Sequence, residues 1–284
     1  MRTRREVCTF IVAALIATAI LSPRPALPAA DTTTVVVGGT GTALGVARWL
    51  GNAFEMANPG ISVKILPSIG SGGAIKALSN SALDVAFVSR SLTAKESELG
   101  LVSLDLARTP LIIIVRSDNK ASNLTTSELR RILLDQMQTW PDGLLIRPIL
   151  RAKGDTDSML IKKLSAEISD AYDSALARPG MLVAMNDQEC LRMVTETPGA
   201  IGFTTLTQLL VEGGSVKALS FNGRFPTTEG LRDGSYSPEK SISLVTRPKP
   251  SAATRRFVDF LRSPDARKIL ESAGTLPIEP AVGR

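Results

Sequence analysis

Apolar positions along this chain fall into short runs separated by stripes at helical spacing. Thr33–Val37 is a β-branched run. Gly-Gly-Thr-Gly-Thr follows it, and then Leu44, Ala47, Leu50 and Phe54 recur on one helical face. Ile61–Leu66 predicts a second strand, which passes through Ser-Ile-Gly-Ser-Gly-Gly into a helix bearing Ile75 and Leu78. Leu83–Val88 predicts a third, ending at Ser89 and Arg90. Further strands are predicted at Leu111–Val115, Arg147–Leu150, Ala200–Phe203, Val216–Ser220 and Ser241–Val245. Thr125-Thr126-Ser127-Glu128 has the form of a capping box, and Met159, Leu160, Leu164 and Ile168 stripe another helix. Ser251–Gly274 holds two helices broken at Ser263-Pro264. Strands alternating with helices predict an α/β fold with largely parallel sheets.

The N-terminus has a different pattern. Arg2, Arg4 and Arg5 precede an apolar run from Val7 to Leu21, and Pro23, Pro25 and Pro28 follow. This is the three-part form of a secretory signal peptide over residues 1–30, cleaved near Ala29 or Ala30. The run is shorter than the roughly 20 residues a spanning helix needs. The expectation is therefore a periplasmic or otherwise exported chain. The leader holds four of the 33 Lys and Arg (Arg2, Arg4, Arg5, Arg24) and one of the 27 Asp and Glu (Glu6), which leaves +3 on the mature chain. The remaining basic pairs, such as Arg130-Arg131 and Lys162-Lys163, sit at helical spacing as solvated faces, so nucleic acid is not an expected partner.

Composition removes several chemistries. The chain has no histidine, so the commonest general base and metal ligand is missing, and neither a metal site nor a cofactor is expected. Of its two cysteines only Cys190 lies beyond the leader, inside a helical pattern where a buried structural thiol is the ordinary role. Gly39-Thr40-Gly41-Thr42-Ala43-Leu44-Gly45 after a strand is a loose dinucleotide fingerprint, the mark of an oxidoreductase. The next strand, ISVKILP, lacks the acidic residue that would hold a ribose. The chain is read as a binding protein, not an enzyme.

Three strands, near residues 35, 64 and 86, end in Gly/Ser/Thr segments, and Arg147–Leu150 leads into Arg151-Ala-Lys-Gly-Asp-Thr-Asp-Ser. Helix starts present unpaired N–H groups and the positive end of the helix dipole, so they bind anions. Hydroxyls at such starts can donate to oxygen, and glycine admits close approach. Several starts converging at the carboxyl ends of strands would wrap a small anion.

Five segments carry a resemblance: VVVGGTGTALGVARWLGNAFEMANPGISVKI, PSIGSGGAIKALSNSALDVAFVSRSL, SNLTTSELRRILLDQMQTWPDG, PGAIGF and VKALSFNG…RDGSYS. In this order they resemble the phosphate-binding component of phosphate ABC transporters. That resemblance implies a two-lobed, type II periplasmic-binding-protein-like fold with two crossing hinge strands, expected at Leu111–Val115 and Ser241–Val245. Lobe one would be residues 31–112 plus 245–284, and lobe two 113–244. The implied ligand set is Thr40 and Gly41, Ser71, Ser89, and Arg151 with Asp155, Thr156 and Asp157. Asp155 and Asp157 stand where the family carries hydroxyl residues (R-x-x-G-S-G-T), and they are equally well read as the helix N-cap and a first-turn acid respectively. The implied partners are a small oxyanion, phosphate or phosphate-like, and a membrane ABC permease, with the protein itself a monomer. The alternative is a sensor of another small anion, such as molybdate, tungstate or an organic acid, that signals to a membrane partner.

Overall fold

The computed structural model describes residues 33–278, so the predicted leader lies outside the described residues. The chain runs β1 (Thr33–Gly39), α1 (Gly41–Ala57), β2 (Ile61–Ile65), α2 (Gly70–Ser79), β3 (Val85–Val88), α3 (Ala94–Ser97) and a long β4 (Val102–Arg116). It continues through β5 (Asn123–Leu124), α4 (Thr126–Leu133), β6 (Arg147–Arg151), α5 (Thr156–Lys162), α6 (Ala166–Leu176), β7 (Leu182–Ala184), α7 (Asp187–Glu196) and β8 (Ala200–Thr205). The remainder is α8 (Leu206–Glu212), β9 (Val216–Ala218), β10 (Ser220–Phe221), α9 (Thr228–Asp233), β11 (Glu239–Thr246), α10 (Ala252–Leu261), α11 (Pro264–Ser272) and β12 (Leu276–Pro277).

The strands lie in the order β2-β1-β3-β11-β4-β8-β6-β7, and β4 joins two halves. Its first part, Val102–Pro110, pairs antiparallel with β11, and its second, Leu111–Val115, pairs antiparallel with β8. On one side β1 runs parallel to β2 and β3; on the other β6 runs parallel to β7 and β8. The result is a two-lobed α/β fold with crossing strands.

Each half has apolar clusters on both faces of its sheet, which follows from strands that are apolar at consecutive positions. In β1, Val35 and Val37 pack with Leu44, Leu50, Phe54 and Phe257, while Val36 faces the cluster of Ile75, Leu78 and Val88. In β4, Leu111, Ile113 and Val115 pack with Leu129, Ile161 and Tyr172, and Ile112 and Ile114 with Cys190 and Val194. Fully burying one such side chain is worth about 1.5–3 kcal/mol.

Two predicted strands need correction. Leu111–Val115 is only the second half of β4, whose first half is broken up in sequence by Ser103, Asp105, Arg108 and Pro110. Val216–Ser220 divides into β9, paired with β4, and β10, paired with β5. The capping box at Thr125 forms with Glu128, and Ser263 caps α11 with Pro264 in its first turn.

Candidate functional site

β1 ends at Gly39, and Thr40 turns the chain into α1. Its N–H donates to the Phe87 carbonyl of β3 at 3.1 Å, which ties the start of α1 to the end of that strand. Two residues further on, the Ser89 N–H donates to Ser71 Oγ, in the first turn of α2, at 3.0 Å. Thr40, Ser71 and Ser89 are all buried, and Ser89 Oγ has no hydrogen-bond partner among the described residues. Arg90 turns elsewhere, into a two-pronged pair with Glu96.

In the other lobe β6 ends at Arg151, a guanidinium only 2% exposed. Its backbone is held by Tyr172, whose hydroxyl accepts from the Arg151 N–H at 2.8 Å and donates to its carbonyl at 3.2 Å. Gly154 makes the following turn at φ +82°. Asp155 then caps α5 by accepting from the Asp157 N–H at 2.9 Å, and its other oxygen pairs with Arg151 Nη2, also at 2.9 Å. Thr156, half-buried, is the first helical residue. Asp157 is fully buried and meets Arg151 Nη1 at 2.6 Å.

The cluster then grows beyond the residues named from sequence. Lys240 of β11, 1% exposed, places Nζ 2.6 Å from Asp157 Oδ1 and 3.0 Å from Asp187 Oδ1. Arg151 Nη1 lies 3.5 Å from the same Asp187 oxygen. Asp187, the first residue of α7, also accepts from the start of α1: the Thr42 N–H donates at 3.2 Å and the Thr42 hydroxyl at 2.9 Å. One connected network thus runs from Thr42 through Asp187 and Lys240 to Asp157, Arg151 and Asp155. Gly41 borders it, because a Cβ there would lie 2.7 Å from Asp187 Oδ2. The Ser71–Ser89 pair approaches it through the Thr40–Phe87 link.

Sequence reasoning missed Thr42, Asp187 and Lys240. Asp187 reads as an ordinary first-turn acid behind the Asn186 cap, and Lys240 as one polar residue at the edge of a strand. Their meeting depends on which strands pair and has no local signal.

Burial pushes the Asp157 carboxyl up to about 6; Lys240 pulls against this, and the Asp187 charge adds to it. Burial works to raise Asp187 too, but the charges of Lys240 and Arg151 outweigh it and hold this carboxyl well below the ordinary range. Burial disfavours the charge on Lys240 and Arg151, yet the carboxylates around them prevail and keep both more firmly protonated than usual. Asp157 and Asp187 therefore titrate as a pair. With Asp157 protonated, Asp155 and Asp187 balance Arg151 and Lys240.

Among the described residues no group of three His, Cys, Asp or Glu side chains is placed to hold a metal ion. Cys190 is buried and donates to the Phe203 carbonyl at 3.2 Å, and burial pushes its thiol up. It is neither exposed nor ionised as a nucleophile must be. A separate groove of about 240 Å³ opens between Leu104, Leu106, Leu261, Pro264, Leu270 and Pro277, and no residue of the charged cluster lines it.

A profile of the PBP superfamily domain matches residues 25–265. The chain belongs to the PBP superfamily. The "Phosphate-binding protein PstS" of Borreliella burgdorferi is 29% identical over 219 residues, covering 74% of this chain and 78% of that one. A substrate-binding protein from Clostridium perfringens, solved with bound phosphate and assigned to a phosphate ABC transporter, superposes with a TM-score of 0.74 at 20% identity. The match covers 87% of this chain and all of that one. The effector-binding domain of QuiR in complex with shikimate superposes with a TM-score of 0.54 at 17% identity, over 81% of this chain and 95% of that one. Over most of its length the chain is thus a PBP-superfamily domain. As a PBP-superfamily member it carries its charged cluster where strand ends and helix starts of its two halves meet.

Proposed function

We propose that this PBP-superfamily protein captures a small oxyanion, phosphate or a phosphate-like anion, outside the cytoplasmic membrane and delivers it to an ABC permease. The observation that carries this reading is two buried cations, Arg151 and Lys240, joined in one network to the start of the 17-residue helix α1. A planar guanidinium suits a tetrahedral oxyanion, and a long helix adds N–H donors and its dipole. The relatives named as phosphate-binding proteins support the same ligand class.

In this reading the ligand-binding set is Thr40, Gly41, Ser71, Ser89, Arg151, Asp155, Thr156 and Asp157, joined by Thr42 and Lys240. Lobe one is residues 31–112 plus 245–284, lobe two is 113–244, and the lobes close over the anion about β4 and β11. Two buried groups with unmet hydrogen-bonding capacity, Ser89 Oγ and Arg151 Nε, favour a polar ligand, because a buried polar group without a partner costs about 1–3 kcal/mol. Asp157 supplies discrimination: when ionised it accepts a proton from a protonated oxyanion and repels one that has none.

A thermal-shift panel of phosphate, sulfate, molybdate, tungstate and small organic acids tests the reading. A ligand at about 100 times its Kd stabilises by about 2.7 kcal/mol, and phosphate is expected to do so. Stabilisation by an organic acid alone would move the protein to another solute, and no response to any member would end the oxyanion reading.

A further inference from the structure

We propose that Asp187 is a tethered carboxylate that occupies the anion position at the start of α1, so that an incoming oxyanion binds by displacing it. The proposal rests on the oxyanion reading above and names the residue that governs access to that site.

The donors around Asp187 are the ones a bound oxyanion would use. Its two oxygens take the Thr42 N–H, the Thr42 hydroxyl, Lys240 Nζ and, at 3.5 Å, Arg151 Nη1. A backbone donor at the start of a long helix, a hydroxyl, an ammonium and a guanidinium form a general anion-binding set. An internal carboxylate already fills it, and Asp187 is buried to 1% exposure.

Asp187 is also fixed to lobe two while its hydroxyl partner belongs to lobe one. Asn186 caps α7 immediately before it, and Cys190, Leu191 and Val194 bury the face of α7 behind it. The contact with Thr42 therefore bridges positions 145 residues apart, and the adjacent Gln188 adds a second bridge from Nε2 to the Gly41 carbonyl at 3.2 Å. The approach is close enough to require glycine at 41: a Cβ there would come within 2.8 Å of Asp187 Cβ. The network thus latches α1 to α7, and opening the lobes breaks it at Thr42.

Charge gives the consequence for binding. Arg151 and Lys240 face Asp155, Asp157 and Asp187, so a further anion added to the full set meets an excess of negative charge at low dielectric. Exchange of Asp187 for an external monoanion leaves that balance unchanged. A carboxylate held in place also lowers apparent affinity, because only the fraction of molecules with Asp187 displaced is competent to bind.

The test is calorimetric titration of the chain from residue 31 with phosphate, in the natural sequence and in Asp187→Asn. The substitution is isosteric and leaves two cations against two carboxylates, so folding is expected, with circular dichroism as the check. Phosphate should bind about tenfold or more tightly to the variant. If the natural protein binds phosphate and Asp187→Asn binds it equally or more weakly, the tethered-ligand proposal is overturned while the oxyanion reading stands. Binding by the variant alone would mean that phosphate cannot displace Asp187, and it overturns the proposal as well. Binding by neither overturns both. A second variant guards against a misfolded asparagine form: Asp187→Ala should gain thermal stability from millimolar formate, a free carboxylate that takes the vacated position, while the natural protein does not. Equal response of the two proteins to formate overturns the proposal independently of phosphate.

Discussion

Asp157 and Asp187 share two buried cations, yet their environments push them in opposite directions. Burial raises Asp157 to about 6, against an ordinary value near 3.9, while Lys240 and Arg151 hold Asp187 low. A carboxyl that binds its proton more tightly when folded contributes stability that is fully present below its unfolded pKa. That contribution is lost as pH rises through the folded one. Asp187, lowered, behaves in the opposite sense, and its contribution is lost only in strong acid. Between pH 7.5 and 5 the Asp157 effect therefore stands alone within the pair. The melting temperature should climb as pH falls across that window, with a stability gain of about 1.4 kcal/mol for the one pH unit between the folded value and pH 5. Asp157→Asn should flatten the profile. A natural protein whose stability is level or falls from pH 7.5 to 5 would contradict the assignment. The acids at 155 and 157 were visible in the sequence because they replace hydroxyl residues of the motif that the family resemblance implies. Lys240 was not, because a lysine beside a strand is ordinary until the pairing of β11 with β4 buries it.

At the level of elements, the helix starts were the most legible part of the chain. Gly, Ser and Thr after β-branched runs mark α1, α2 and the end of β3, since few other residues combine tight turns with free hydroxyls. What stayed hidden was the register of one element on another. The first half of β4 alternates polar and apolar residues and carries Pro110, so it does not stand out as part of a buried strand. The docking of α7 on α1 has no sequence signal except Gly41, whose missing side chain makes room for Asp187. Gly41→Ala tests this packing. The new methyl must push Asp187 or α1 aside, with an overpacking cost of about 1–3 kcal/mol in a denaturant melt. A loss below about 0.5 kcal/mol would mean that α1 and α7 are not in tight contact.

At the scale of the molecule, two mixed half-sheets share β4, and the strand ends and helix starts of both halves converge on one set of buried charges. The predicted α/β class and the two-lobed plan followed from patterns along the chain and a family resemblance. The composition of the charged centre did not, since Asp187 and Lys240 come from positions with no motif. Arg151 is the residue on which the proposed oxyanion site depends most, because Tyr172 fixes its backbone at the end of β6 while Asp155 and Asp157 hold its fork. The most direct measurement is calorimetric titration of phosphate into the natural protein and into Arg151→Lys, which keeps the positive charge but loses the planar fork. One phosphate is expected to bind per natural chain, with affinity falling at least about tenfold in the folded lysine variant, a loss of about 1.4 kcal/mol or more. No phosphate binding by the natural protein, or equal affinity in the two, would contradict the account.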